Sequence, residues 1–353
     1  MTSHLLRPLR RTMVAALAAS SLGAAPAIIA SESPGVRPAA RDQQPPAPSP
    51  PPADRQEGRR EGVEIVDSET RTLALGPAGA LELSTFEGNI TVAAGSGKDV
   101  RVDIVRRARA ATDRDAKVGL SEVQVGTDRR GDRLVLSVVG PRRTSVPVRV
   151  SVSYTVTAPR GTRLTANAVR GNIEIKGIKG EVAAQVTSGN LTITDAADVS
   201  MVRAISGNVT LGDVESTGRL ALNVISGNVT LDRVKMRQLE IDVTTGDVRV
   251  TDLSSENVEI RSLAGSIDYA GALVRGGRYQ LQTHSGEVRM MMTGKTGFDL
   301  EARSFAGRIK VDPDWLPKGT TATMPRSIRV TVGDGGASVV ATTFSGNVTV
   351  GRK

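Results

Sequence analysis

The chain has 353 residues, no cysteine and a formal net charge of +9. The absence of cysteine excludes disulfides, thiolate metal sites and cysteine nucleophiles, and only one histidine, His284, follows the first thirty residues, which leaves no histidine pair for a metal. Aromatic residues make up 2% of the chain, which disfavours a flat aromatic platform for sugars.

The N-terminus has the features of an export signal. Three arginines precede an apolar stretch over residues 13–25, and small residues offer a cleavage site near Ala30. We therefore predict a signal peptide over residues 1–30, of the general or the twin-arginine type, with an uncleaved N-terminal helix as the alternative. The apolar stretch is too short for a membrane anchor, so the mature chain is expected to have no transmembrane span and to be exported, remaining periplasmic or reaching the cell surface or the medium.

The next two regions differ sharply in composition. Residues 31–62 hold eight prolines and almost no aliphatic side chains, and they are predicted to form a disordered linker. Order is expected from Val63, and residues 63–160 are predicted to contain a first rung and an antiparallel β cap, with a hairpin turn at 128–132. The cap strands are expected at 100–105, 118–126, 133–139 and 146–157.

A repeat of about 20 residues dominates residues 161–353. The heptapeptide Ile-Ser-Gly-Asn-Val-Thr-Leu occurs at 205–211 and again at 225–231, and looser copies recur at steps of 18 to 21 residues. The step from Gly307 to Gly346 is 39 residues, about two repeats. Such a period without helical spacing is typical of a β-solenoid. One glycine marks each copy: Gly171, Gly189, Gly207, Gly227, Gly246, Gly265, Gly286, Gly307 and Gly346.

The residues around each glycine alternate in polarity. Positions two and four after it and five before it are apolar, which predicts two short strands that face a core and meet at a glycine corner. The predicted fold is all-β: a single-domain parallel β-solenoid of about ten rungs of 18–21 residues, with the antiparallel β cap at its N-terminal end. Residues 312–336, with the only tryptophan, Trp315, are predicted to cap the other end.

The residue after the glycine is asparagine in six copies, counting an early one at Gly88. Glycine takes a positive φ without steric cost, and asparagine both tolerates left-handed geometry and can hydrogen-bond to its equivalents on neighbouring rungs. These positions are therefore predicted to be structural ladders.

A column of larger apolar residues lies two positions before the glycine. By alternation these side chains point outward and could mark a partner surface, whereas a corner that turns them back into the core is the alternative. His284 belongs to the same column and is predicted to be an ordinary solvated residue. The candidate partner stripe is Ile205, Ile225, Leu263, Phe305 and Phe344.

Basic residues concentrate in the N-terminal cap. Residues 98–150 contain 13 Lys and Arg against 7 Asp and Glu. Outside the cytoplasm such a patch would meet anionic lipid, lipopolysaccharide or acidic glycan and not nucleic acid, while a scattered solvated surface is the alternative. The candidate anion-binding patch is Arg106, Arg107, Arg129, Arg130, Arg142 and Arg143.

No catalytic constellation is predicted. Ser285 follows His284 directly, and neighbours along a strand point to opposite faces, so the pair cannot act as nucleophile and base. Glu240, Glu259 and Glu301 share one outward column beside Asp242, Arg261 and Arg303, a pattern typical of a solvated charge ladder. The short steps between Gly171 and Gly307 also leave no room for the long loops that wall the groove of a polysaccharide-active β-helix. We predict no catalytic residue, cofactor or metal.

The chain resembles the putative adhesin family, a group of exported bacterial β-solenoid domains. The resemblance covers residues 63–353 and rests on the Gly88-Asn89-Ile90-Thr91 unit, the Ala158-Pro159 turn, the Ser-Gly-Asn/Asp corners and the closing segment 333–350. It implies a β-solenoid without a catalytic motif. The function expected is a non-enzymatic envelope or surface binding and scaffolding module, with an envelope polyanion or envelope protein as partner. The alternative is a polysaccharide-active parallel β-helix lyase or hydrolase.

Overall fold

The computed structural model describes residues 62–140, 144–316, 323–324 and 326–352, so the predicted signal peptide, the linker, Arg142 and Arg143 lie outside the described residues. Within these ranges the chain forms 25 strands, all hydrogen-bonded into one sheet, with one α-helix and one 3-10 turn. The all-β parallel solenoid predicted from the repeat is confirmed.

Each rung has two arms that meet at a glycine corner. The first arms are β2 (Ala80–Glu87), β8 (Arg163–Arg170), β10 (Val182–Ser188), β12 (Val199–Ser206), β14 (Arg219–Ser226), β18 (Arg278–Ser285), β20 (Phe298–Ser304) and β24 (Ala337–Ser345). The second arms are β3 (Ile90–Gly95), β9 (Ile173–Lys176), β11 (Leu191–Thr194), β13 (Val209–Glu215), β17 (Ile267–Ala272), β19 (Val288–Thr293), β21 (Ile309–Val311) and β25 (Val348–Arg352). Two longer strands, β15 (Val229–Thr245) and β16 (Val248–Ala264), each supply the second arm of one rung and the first arm of the next.

The rungs stack in parallel and in register, so that equivalent repeat positions pair across neighbouring strands. Val209 pairs with Val229, and Val229 pairs with Val248. The three apolar columns predicted around the glycines are buried along the whole stack. The core is therefore a set of aliphatic columns, each continued from one rung to the next.

A second bend, which we did not predict, lies six residues after the corner glycine. Its residues take left-handed backbone conformations, with φ between 51° and 77°. In the middle rungs the chain continues beyond this bend with another buried residue, such as Val214, Val234 or Leu253. The column consists of Gly177, Asp195, Asp213, Arg233 and Asp252. Aspartate is among the residues that tolerate this conformation, which explains why glycine is not required here.

The N-terminal cap is partly as predicted. β1 (Val63–Ala74), β4 (Asp99–Ala110) and β7 (Val148–Pro159) form an antiparallel sheet that continues the second arms, because β7 pairs with β3. β5 (Gln124–Arg130) and β6 (Arg133–Val139) form the expected hairpin, and β6 continues the first arms beside β2.

The predicted strand at 118–126 is wrong, because most of this segment belongs to helix α1 (Asp113–Glu122). The hydroxyl of Thr112 accepts a hydrogen bond from the backbone N–H of Asp115 (3.1 Å) and caps the helix N-terminus. Ala116 is buried against Ala108 and Ala110 of β4. The helix lies against β1, β4 and β7.

The C-terminal end departs from simple sequential stacking. The last rung of the chain, β24 with β25, is inserted between the rung of β18 and β19 and the rung of β20 and β21. β23 (Ser327–Val332) pairs antiparallel with β20, and the short β22 (Thr323–Met324) pairs with β21. The 39-residue step between Gly307 and Gly346 is thus an excursion that returns into the stack, and not two successive rungs.

Candidate functional site: the corner ridge

The glycine corners bring neighbouring backbones into close contact. Eight of the nine corner glycines predicted from Gly171 onward have φ between 138° and 147°, and Gly88 has a φ of 132°. A Cβ placed on Gly207 would lie closer than 3.0 Å to the carbonyl oxygen of Gly189 on the adjacent rung. Gly307 is the exception, because its φ is outside the left-handed range, yet a Cβ there would collide in the same way with Gly346. The close contact between neighbouring backbones therefore requires glycine at the corners, in addition to the positive φ.

The asparagines after the corners form the predicted ladder between equivalent positions, in which a side chain accepts from the backbone of the next rung. The side-chain Oδ1 of Asn190 accepts a hydrogen bond from the backbone N–H of Asn208 (3.0 Å), and Asn208 does the same for Asn228 (2.9 Å). Asp247 takes the same role toward Ser266 (2.8 Å). These residues satisfy backbone donors between rungs, so their polar atoms serve the structure.

We call the column of side chains two residues before each corner glycine the corner ridge. Ridge residues alternate along the first arm with the buried residues, so their side chains point away from the core. The alternation ends there, because the chain turns at the glycine. Seven members are large exposed hydrophobic residues with exposed fractions of 39 to 68%. In stacking order the ridge is Phe86, Val169, Thr187, Ile205, Ile225, Thr244, Leu263, His284, Phe344 and Phe305.

The ridge concentrates an otherwise scarce residue. The chain has four phenylalanines, and three of them, Phe86, Phe305 and Phe344, lie exposed on the ridge. Only Phe298 is buried in the core, where it contacts Trp315 edge-on at 5.2 Å between ring centroids. Three of the four phenylalanines therefore do not contribute to the buried core.

Aromatic rings stack at one end of the ridge. The rings of His284 and Phe344 are 4.8 Å apart and inclined by 4°, and those of Phe344 and Phe305 are 4.7 Å apart and inclined by 8°. Each ring covers the face of the next one, so the stack presents mainly ring edges to the outside. A sugar stacks on an exposed ring face, and this arrangement does not offer a row of such faces.

A shallow groove of about 620 Å³ runs beside the middle of the ridge. One side is formed by ridge residues from Ile205 to His284, and the floor includes Ala204 and Val224. The opposite side is polar and consists of Gln185, Arg203, Asn223, Asp242, Arg261 and Gln282. A larger cavity of about 1150 Å³ opens in the cap beside Phe86, at the first rung of the ridge.

The described arginines of the predicted anion patch are divided between strand faces. Arg106 and Arg107 are consecutive in β4 and lie on opposite faces, as do Arg129 and Arg130 in β5. Arg106 is half-buried, is paired with Asp67, and donates a hydrogen bond to the backbone oxygen of Val123 (3.0 Å). Alternation along a strand separates arginines that are adjacent in sequence.

The acidic column is paired with arginines. Glu240 accepts from Arg219 and lies 3.5 Å from Arg261, which also contacts Asp242 at 3.3 Å. The hydrogen bond from Arg219 lowers the pKa of Glu240 below its ordinary value. A general acid needs a raised pKa, and this geometry does the opposite. In the part of the chain that the structure describes, no group of three acidic or histidine side chains is placed to hold a metal ion, and no helix is long and apolar enough to cross a membrane.

Comparison with known proteins identifies a family. The sequence model of the family described as Toastrack DUF4097 matches residues 79–351. No curated protein matches. Similar solved structures include a putative adhesin from Parabacteroides merdae, with 10% identity, a TM-score of 0.43 and coverage of 81% of this chain and 96% of that one. A protein from Parabacteroides distasonis described as a putative lipid binding protein has 10% identity, a TM-score of 0.44 and coverage of 80% and 97%.

Proposed function

The chain belongs to the Toastrack DUF4097 family, and from the geometry of its corner ridge we propose that it is a non-enzymatic binding or scaffolding module of the bacterial cell envelope. The observation that carries the proposal is the ridge itself: seven large apolar side chains exposed in one line along the stacked rungs. An exposed row so rich in large apolar side chains is typical of an interaction site. The export signal predicted over residues 1–30 supports an envelope location.

The surface favours a protein partner over a polyanion. The ridge is apolar, and the residues immediately before the corner glycines are mostly small and uncharged, such as Ser206, Ser226 and Thr245. Among the described cap arginines, Arg106 is held by Asp67, and Arg130 pairs with Asp128 at 2.9 Å. Hydrophobic contact and exclusion of water would therefore supply most of the binding free energy.

The geometry gives little support to a polysaccharide-active enzyme. The outward acids are paired with arginines, and the pKa of Glu240 is lowered and not raised. The groove beside the ridge has an apolar side and a side of mixed amides and charges, without a close pair of unpartnered carboxyls among its lining residues. Release of oligosaccharides from acidic glycans by the purified chain would contradict the proposal.

Two matched double variants test it. Ile225→Asn with Leu263→Asn alters ridge residues that are 54% and 55% exposed, and Val66→Asn with Val139→Asn alters cap residues that are 52% and 56% exposed. We expect cosedimentation with the envelope fraction of the producing bacterium to weaken at least about tenfold for the ridge pair, because each lost apolar anchor costs about 1 kcal/mol or more. The cap pair should bind like the wild type. Equal losses in both, or unchanged binding of the ridge pair, would overturn the proposal.

A further inference from the structure

We infer that the corner ridge pairs with the same ridge of a second copy of this chain, with the two ridges antiparallel about a two-fold axis. This inference rests on the proposed function, since it uses the same surface, and it names the partner. It is carried by three properties of the ridge: its apolar area, the order of its polar members and its geometry.

The apolar area of the ridge is close to what a small specific interface needs. At about 200 Å² for a fully exposed phenylalanine and about 100 Å² for an aliphatic side chain, the seven exposed residues present on the order of 550 Å². The largest apolar patch of a typical monomer is about 300–600 Å². Two copies that cover each other's ridge would bury about 1,100 Å² before the flanking columns are counted, which approaches the lower limit of about 1,200 Å² for specific interfaces.

The order of residues along the ridge is nearly palindromic. When the ten positions are reversed, Phe86 meets Phe305, Val169 meets Phe344, and Ile205 meets Leu263. Thr187, one of the two threonines, then meets His284, so polar side chains also face each other. Only Ile225 and Thr244, on either side of the centre, form a mixed pair. An isologous interface requires this kind of self-complementarity.

Geometry favours the antiparallel arrangement. Successive ridge side chains are separated by one rung, about 4.8 Å. A two-fold axis parallel to the stack would place each side chain at the height of its own copy, where the two meet head-on. An axis perpendicular to the stack leaves the register free, so that a shift of a fraction of a rung from the reversed pairing lets the side chains of one ridge fit between those of the other and exclude water.

The flanks permit close approach. The column directly before the corner glycines is formed mainly by small hydroxyl residues, with charges only at Glu87 and Arg170 at the cap end. On the groove side, the reversed pairing places Arg203 of one copy opposite Arg261 of the other, and Asp242, which lies 3.3 Å from Arg261, partly neutralises this pair of like charges.

Sedimentation velocity over about 1 to 100 µM tests the pairing, with dimer expected at the upper end for the wild type and for Val66→Asn with Val139→Asn. Ile225→Asn with Leu263→Asn should raise the dimer dissociation constant at least about tenfold. A wild-type chain that is monomeric throughout would overturn the inference. In that case the proposed function would still hold if envelope binding depended on the ridge. If the dimer formed through the ridge but the ridge variants bound the envelope fraction normally, the dimer inference would hold and the proposed function would not.

Single cysteine variants establish whether the two ridges run antiparallel, because the chain has no cysteine of its own. Ile225 lies beside the expected axis and Phe86 at one end of the ridge, so oxidation should yield a disulfide-linked dimer from Ile225→Cys and not from Phe86→Cys. Linkage from both variants would indicate parallel ridges, and linkage from neither would place the contact elsewhere. Each of these results would overturn the antiparallel pairing.

Discussion

At the scale of single residues, the corner glycines combine two constraints that are separable by mutation. Gly207 has a φ of 138°, and its α-carbon leaves no room for a Cβ beside the carbonyl of Gly189. Gly212, five residues later in β13, has neither constraint, since a Cβ there would meet only the Thr194 methyl carbon at 3.6 Å. The same rung thus contains one glycine, Gly207, that has no space for a side chain and another, Gly212, that has space for a methyl group.

We predict that Gly207→Ala lowers the free energy of unfolding by about 3 kcal/mol or more, because the added methyl must displace backbone as well as adopt a strained φ. Gly212→Ala should change it by less than about 1 kcal/mol. Urea denaturation of both variants measures the difference. Similar stabilities for the two would contradict the close backbone approach.

The sequence predicts part of this chemistry. Glycine recurrence predicted the corner and its positive φ, which Gly307 alone lacks among the predicted set. The partner residue, the equivalent asparagine of the next rung, was predicted, but the partner atom was not, because the spacing of the stacked rungs decides that the side chain of Asn190 reaches the backbone N–H of Asn208. The left-handed aspartates of the second bend had a signal, a column of Gly177, Asp195, Asp213 and Asp252, that depends on alignment of the repeats.

At the scale of the strand, alternation decides which side chains are buried. Val229 is fully buried in β15, whereas Thr230 is partly exposed and lies between Thr210 and Arg249 of the adjacent rungs. The same strand therefore offers neighbouring positions that differ in environment and share backbone geometry.

We predict that Val229→Asp prevents folding or costs more than about 4 kcal/mol, because it buries an unpaired charge. Thr230→Asp should cost less than about 1 kcal/mol, since the new carboxylate faces solvent beside Arg249. Circular dichroism and thermal melting separate the outcomes. Equal damage from both substitutions would refute the two-residue alternation.

The element that sequence patterns missed is helix α1. Apolar residues at 118 and 120, and again at 123 and 125, have strand spacing within each pair, yet the capping threonine, Thr112, and Asp113 and Asp115 of the first turn begin a helix. Burial of Ala116 against β4 then stabilises the helix through tertiary contacts that no local pattern contains. Packing of the segment against β4, and not its local apolar pattern, decides that it forms a helix and not a strand.

At the scale of the whole molecule, the order of the rungs is not the order of the chain. Gln282 of β18 pairs with Thr342 of β24, and Thr342 pairs in turn with Arg303 of β20. Repeat spacing predicts how many rungs form but not where a returning segment inserts, because equivalent apolar columns could pair with several neighbours. The column that forms the corner ridge could be predicted from the repeat. The separation of the cap arginines could not, because it depends on which faces of β4 and β5 they occupy.

An engineered disulfide tests the inserted rung. Gln282→Cys with Thr342→Cys should oxidise readily, since adjacent rungs are about 4.8 Å apart and disulfides need about 4.4–6.8 Å between α-carbons. Gln282→Cys with Arg303→Cys, two rungs apart, should remain reduced. Thiol titration after mild oxidation reports the result, and the reverse pattern would restore sequential stacking.

The central claim is that the corner ridge is the surface through which this solenoid binds. It is tested most directly by photo-crosslinking from cysteines labelled with benzophenone, comparing Ile225→Cys on the ridge with Val139→Cys in the cap, which is equally exposed. Irradiation with the envelope fraction should give discrete adducts, to a second copy or to an envelope protein, from the ridge position and few from the cap. Equal yields from both positions, or adducts from the cap alone, would contradict the account.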